Sequence, residues 1–187
     1  MSFLSEALKA PGRMGAIAPS SPNLARKIVA CAELGTAQTI VEIGPGTGPI
    51  TREIRKSMAA DARLILVEIN PQFAQNLVTA FPSADVICGS AEDLTAHLAT
   101  RGLASCDRVV CGLPWTAFPA DLQTRILDAV VAALAPDGIF VTFAYAPMNH
   151  LPRGKSFYRL LRERFSEVGK SPLAANLPPA FSYICRP

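Results

Sequence analysis

The fold class predicted is α/β: a parallel sheet of five strands finished by an antiparallel hairpin, seven strands in all, with helices on both faces. Three observations predict it. Five short apolar runs alternate with segments of helical period, a glycine-rich turn follows the first run, and the last 22 residues hold two further strand signals around 176–180. With 187 residues, half of them hydrophobic and 18% charged, the chain can bury a sizeable core in one domain.

The first strand is TIVEI (39–43), and helix follows over about 47–58. RLILVEI (63–69) is the second strand, and 71–81 a helix with Pro71 at its first turn. DVICG (85–89) is the third strand, with a helix near 92–100. DRVVCGL (107–113) is the fourth, followed by a helix over about 119–135 that stops at Pro136-Asp137-Gly138. IFVTFAY (139–145) is the fifth, and 156–165 reads as a helix with Phe157, Leu160, Leu161 and Phe165 on one face. The division expected is a single domain over 1–187, in which 1–25 form a helical lid or membrane-contact segment and 36–187 the core.

The longest apolar run, 126–134, falls short of the ~20 residues of a spanning helix and carries Asp128. The first residues lack the basic start and long apolar stretch of a signal peptide. A cytoplasmic protein, free or resting on the inner face of the membrane, is expected. The five cysteines, Cys31, Cys88, Cys106, Cys111 and Cys185, form no CxxC pair and read as free thiols, with Cys88 and Cys111 in the core. The charge is uneven: residues 1–30 balance at +3, 31–149 at −5 and 150–187 at +5. Basic ends favour an anionic partner, a membrane surface or a nucleic acid.

Glu42-Ile43-Gly44-Pro45-Gly46-Thr47-Gly48 closes the first strand. Its glycines let the backbone turn and approach a ligand without Cβ interference, and the next helix start offers free N–H groups. A dinucleotide fingerprint needs its third glycine at position 49, which is Pro49. The ExGxGxG pattern instead resembles motif I of class I methyltransferases, whose fold is a Rossmann-like seven-stranded sheet and whose cofactor is S-adenosylmethionine. Glu68 ends the second strand, where an acidic side chain can accept hydrogen bonds from both ribose hydroxyls. Gly89-Ser90-Ala91-Glu92-Asp93 resembles the family's adenine-binding turn. The resemblance assigns Glu42, Gly44, Gly46, Gly48, Glu68, Ile69, Ser90, Ala91, Glu92 and Gly112 to the cofactor.

Gly112-Leu113-Pro114-Trp115 follows the fourth strand. Adenine-N6 methyltransferases carry (N/D)PPY or NLPY there, and this chain has Gly112 in place of their polar side chain. Leu113 and Pro114 are assigned to the acceptor, and the indole of Trp115 can face an ammonium. Together with Gly15-Ala16-Ile17-Ala18-Pro19-Ser20-Ser21, VEIGPGTGPIT (41–51), LVEINPQF (66–73) and NLPPAF (176–181), this motif makes the chain resemble the small soluble bacterial phospholipid N-methyltransferases almost end to end. The resemblance implies a phospholipid acceptor, with phosphatidylethanolamine methylated stepwise toward phosphatidylcholine.

In the opening segment Phe3, Leu4, Ala7 and Leu8 share a helical face beside Lys9 and Arg13, which suits either anionic lipid or a lid over the cofactor. Arg153 and Lys155, flanking Gly154, suit phosphate recognition. Trp115 and Tyr145 are expected to line the transfer site, with His150 as a proton acceptor. No metal is expected. The rival readings are an rRNA or DNA adenine N6-methyltransferase, which Gly112 opposes, and a small-molecule N-methyltransferase.

Overall fold

A computed structural model describes residues 21–187. Its strands are β1 (Thr39–Ile43), β2 (Arg63–Glu68), β3 (Asp85–Cys88), β4 (Cys106–Cys111), β5 (Leu134–Tyr145), β6 (Glu167–Lys170) and β7 (Ala180–Arg186). They form one sheet in the order β3-β2-β1-β4-β5-β7-β6. The first five run parallel, and β7 pairs antiparallel with both β5 and β6. Six strands share one direction and β7 alone opposes them, so the mostly parallel seven-stranded sheet ending in an antiparallel β6–β7 pair matches the class predicted.

The helices are α1 (Pro22–Ala30), α2 (Pro49–Ser57), α3 (Pro71–Ala80), α4 (Leu94–Ala99), α5 (Ala120–Ala133), α6 (Ala146–Asn149) and α7 (Pro152–Arg164). Leu24 and Ile28 of α1, Ile50 and Ile54 of α2 and Leu77 of α3 bury against Ile40, Leu64, Leu66 and Val141 on one face of the sheet. Leu94 and Leu98 of α4, Ile126 and Val130 of α5 and Phe157 and Leu161 of α7 bury against Val41, Ile65, Val109 and Phe140 on the other. Burial on both faces explains why the central strands read as continuous apolar runs rather than alternating ones.

Three boundaries and the place of Cys88 depart from the sequence reading. Helix α1 begins where the lid was expected to end: Ser21 Oγ accepts the Leu24 N–H at 3.2 Å and Pro22 occupies the first turn. Helix α7 starts at Pro152, one turn before the expected residue 156, again with proline in the first turn. Strand β5 starts at Leu134, opposite Cys106, and its register shifts before Ile139 meets Arg108. Pro136 has no N–H to give to that ladder, so the Pro-Asp-Gly turn becomes an irregularity within the strand. Cys88 is exposed, because β3 is the sheet's edge, whereas Cys106, Cys111 and Cys185 are buried and burial pushes each thiol up to about 12.

The expected helix carrying Phe3, Leu4, Ala7, Leu8, Lys9 and Arg13, and the motif from Gly15 to Ser20, lie outside the described residues. Among the described residues no helix is long and apolar enough to cross a membrane.

Candidate active site

The chain leaves β1 toward β2 and β3 on one side, then returns to β4 and β5 on the other, so the strand order reverses between β1 and β4. Ligands of such sheets sit in the crevice at the carboxyl ends of the strands at this switch point. A cleft of about 460 Å³, open mouth included, lies there. It is lined by Gly44 and Gly46 after β1, Glu68 and Ile69 at the end of β2, Gly89 and Ala91 after β3, and Gly112, Leu113 and Pro114 after β4, with Phe73 of α3 beside them.

Gly44 and Gly46 carry φ of 68° and 57°, in the left-handed region that favours glycine. A Cβ on Gly44 would come within 2.6 Å of Leu113 Cδ2, whereas one on Gly46 would meet nothing within 4 Å, so the Gly46 backbone faces open space. Glu68 fastens the loop. Its Oε2 accepts the Gly46 N–H at 3.0 Å and its Oε1 accepts the Asn70 N–H at 2.8 Å. Each oxygen keeps a lone pair for a further donor. A carboxylate with spare acceptor capacity, a backbone stripped of Cβ atoms and the apolar flank of Ile69, Phe73 and Ala91 fit a nucleoside whose ribose hydroxyls donate and whose flat base needs an apolar wall. S-adenosylmethionine has those parts, so the residues present fit the cofactor.

Gly112 donates its N–H to the Ile43 carbonyl at 2.8 Å, and a Cβ there would lie 2.8 Å from the Gly44 carbonyl oxygen. The side chain that clamps an amine in adenine methyltransferases is absent here, and the backbone of the glycine loop leaves it no room.

Not every predicted cofactor residue lines the cleft. Gly48 caps α2, and a Cβ there would meet the Phe81 ring at 2.6 Å, so its task is packing. Ser90 caps the 3₁₀ turn Ala91–Asp93 by accepting the Glu92 N–H at 3.2 Å. The Glu92 carboxylate turns to α5, where Arg125 Nε lies 2.5 Å from its Oε1. Glu42 lies buried under the glycine loop. Phe73, Gly89, Ile43 and Val67 line the cleft and were missed from sequence. The findable signal was the helix start at Asn70: its Oδ1 accepts the Gln72 and Phe73 N–H groups and so places Phe73 one turn beyond the β2 end.

On the acceptor side Leu113 and Pro114 line the cleft as expected, and the others spread out. Trp115 is 3% exposed, stacked on Phe157 at 4.7 Å, with Nε1 donating to Thr142 Oγ1 at 2.8 Å. It is a core residue whose face is covered by a ring, not one open to an ammonium. Tyr145 is half-buried at the carboxyl end of β5, edge-on to Phe143 at 5.5 Å, and burial pushes its phenol up, so it stays protonated. His150 is exposed beyond α6 and outside the cleft lining. Arg153 reaches back to the turn after Pro114, donating Nη1 to the Thr116 carbonyl at 3.3 Å, and Lys155 is exposed one turn along α7.

Glu42, two residues after Ile40, shares with it the α2 face of β1, where its Oε2 accepts the Thr51 hydroxyl at 2.6 Å. Its Oε1 is buried without a protein partner. Burial, assisted by the nearby Glu68 charge, raises the Glu42 carboxyl from 4.5 to about 8. The folded protein therefore holds a proton that the unfolded chain releases. The stability from the neutral form is fully present below the unfolded value and is lost as pH rises through about 8, with a slope of about 1.4 kcal/mol per pH unit in between. Denaturant titrations between about pH 5 and 8 are expected to show that slope in the native protein and its loss in Glu42→Gln, which carries no titrating proton. Equal slopes in both would mean that Glu42 is ionised in the fold.

The methyltransferase-domain family matches over residues 40–138, which span β1 to the start of β5. The ornithine lipid N-methyltransferase of Singulisphaera acidiphila is 37% identical over 98% of this chain and 94% of its own length. The ribosomal RNA small subunit methyltransferase A of Phenylobacterium zucineum is 32% identical over 62% of this chain, which spans only 46% of that protein. Among solved structures, the O-methyltransferase from Bacillus cereus in complex with SAH superposes with a TM-score of 0.69 at 13% identity, covering 98% of this chain and 90% of that one, a likeness of fold.

Proposed function

The chain belongs to the class I S-adenosylmethionine-dependent methyltransferases, and we propose that within them it is an N-methyltransferase acting on the amino headgroup of a lipid. The observation that carries this reading is the near full-length similarity to an ornithine lipid N-methyltransferase, against a partial match to the ribosomal RNA enzymes. Gly112 supports it independently, because a cleft without an amine clamp is poorly made for a flat exocyclic amine. For the headgroup, phosphatidylethanolamine, methylated stepwise toward phosphatidylcholine, follows from the motif resemblance, and an ornithine lipid follows from the relative's name.

When bound, S-adenosylmethionine supplies a sulfonium methyl group for in-line attack by a neutral amine. An alkyl amine of pKa ~10.4 is mostly protonated at pH 7, and freeing its lone pair costs ~4–5 kcal/mol. Leu113 and Pro114 can strip water from the ammonium and so favour the neutral form. Tyr145, protonated and half-buried one strand beyond the cleft, offers a phenol for orienting the amine rather than a base. Arg153 and Lys155 supply charge for the anionic part of a headgroup. With His150 outside the cleft, alignment rather than a side-chain base carries most of the acceleration, and the proton leaves to water.

The test is transfer of radiolabelled methyl groups to phosphatidylethanolamine vesicles, ornithine lipid vesicles, ribosomal RNA and a small-molecule cell extract, offered in parallel. Label is expected in a lipid phase, with the labelled lipid naming the headgroup. It should vanish in Gly46→Arg, which puts a bulky side chain at a left-handed residue facing the cleft. Label in RNA alone would overturn the lipid reading and leave the cofactor assignment standing.

A further inference from the structure

Single exposed apolar residues are ordinary on any surface, and only their concentration is informative. Five large ones are exposed among the described residues, and four of them come from two segments. Met148 (39%) and Leu151 (48%) lie on α6 and the entry to α7, while Leu173 (58%) and Leu177 (92%) lie on the linker between β6 and β7. The segments meet: the Ala146 N–H donates to the Pro179 carbonyl at 2.8 Å, and Tyr145 pairs with Ala180 where β5 ends and β7 begins. That is the carboxyl end of the parallel strands, the end that holds the cleft, and Arg153 ties the start of α7 to the turn after Pro114. The rim is firmly built, because a Cβ on Gly154 would collide with the Met148 carbonyl oxygen.

After Asp137 the chain contains two acids, Glu163 and Glu167, whereas Arg153, Lys155 and Arg159 stand exposed on the first turns of α7, with Arg159 Nε 4.0 Å from Glu163 Oε1. Apolar side chains set beside exposed cations complement an anionic lipid surface, where apolar groups enter the headgroup boundary and cations face the phosphates. The described chain also begins beside this rim, since Asn23 Nδ2 donates to the Ala175 carbonyl at 3.0 Å.

We propose that the rim formed by α6, the first turns of α7 and the linker before β7 is a docking surface for an anionic bilayer, with Leu151 and Leu177 entering the headgroup boundary. The cleft then opens onto the membrane, and a headgroup can reach Leu113 and Pro114 without its lipid leaving the bilayer. This purpose rests on the amino-lipid reading, but the docking itself is tested without it.

The experiment is co-sedimentation of the full chain with vesicles of phosphatidylcholine alone and of phosphatidylcholine mixed with phosphatidylglycerol. Binding is expected to the mixed vesicles and to fall steeply with salt. The double variant Leu151→Ser/Leu177→Ser should weaken it about tenfold or more, and Arg159→Glu about tenfold. Val78→Ser, which removes the remaining exposed apolar side chain on α3, should bind as the native protein does. Native-like binding by the double variant would place the contact in the first twenty residues and overturn the proposal, as would no binding to anionic vesicles. Variant-sensitive binding with no lipid methylated, in vesicles or detergent micelles, would uphold the docking surface and sink the substrate reading instead.

Discussion

Trp115→Ala is expected to destabilise the fold by about 3–5 kcal/mol, the usual cost of emptying a large aromatic site in a core, and a large share of the ~5–15 kcal/mol that holds a domain together. The indole is stacked on Phe157 and meets Phe118 and Phe140 edge-on at 6.5 and 6.4 Å. Its Nε1–H donates to Thr142 Oγ1, whose own hydroxyl donates to the Cys111 carbonyl at 3.2 Å. Gln123 Nε2 donates to the Trp115 carbonyl at 2.7 Å. The Trp115 side chain thus joins the end of β4 to β5 and α7, its backbone carbonyl holds α5, and the residue fixes the turn that presents Leu113 and Pro114 to the cleft. Trp115→Phe keeps a ring in the stack and loses the N–H, so a smaller loss of about 1–3 kcal/mol is expected, with the acceptor KM unchanged. Denaturant unfolding and acceptor kinetics on both variants separate the two possible roles. Native stability with a raised acceptor KM would show that the indole meets the substrate after all.

Trp115 also marks where the sequence stops being legible. The GLPW motif says that an aromatic follows the fourth strand, but which way its ring turns depends on Phe140, Phe157 and Thr142, which lie 25 or more residues on and are brought together by the fold alone. Strand β1 was legible to the residue, because four of the five residues of TIVEI are β-branched and Gly44 follows it directly. Helix α1 carries equally local signals, Ser21 and Pro22 before Leu24, Ala25, Ile28 and Val29, yet it was absorbed into an expected lid because nine residues make a short stripe. The adenine turn shows the same division. Its place after β3 follows from the strand pattern, while the capture of Glu92 by Arg125, 33 residues away, does not. The place of Gly44, Gly46 and Gly112 beside the cleft is therefore legible, because a glycine at a turn constrains the chain locally. Parts that depend on side-chain direction, His150 and Trp115 among them, are not.

Glu68→Ala should weaken binding of S-adenosylmethionine, or of its demethylated product, about a hundredfold to ten-thousandfold. We place the ribose at this carboxylate, and each hydrogen bond to a charged group contributes about 1.5–3 kcal/mol. Two ribose hydroxyls would be lost together. The Gly46 and Asn70 N–H groups lose their acceptor as well, so the loop is no longer held to the end of β2. Both amides sit beside an open cleft where water can replace the carboxylate, so the fold should lose only about 1–2 kcal/mol. Glu68→Gln keeps one carbonyl acceptor and removes the charge, and an intermediate affinity is expected. Calorimetric titration with the demethylated product reads both variants without any methyl acceptor, so its result is independent of the lipid assignment. A Glu68→Ala protein that binds as tightly as the native one would move the ribose off β2. A loss shared equally by Glu68→Gln and Glu68→Ala would mean that the negative charge, rather than the number of acceptors, holds the nucleoside in the cleft.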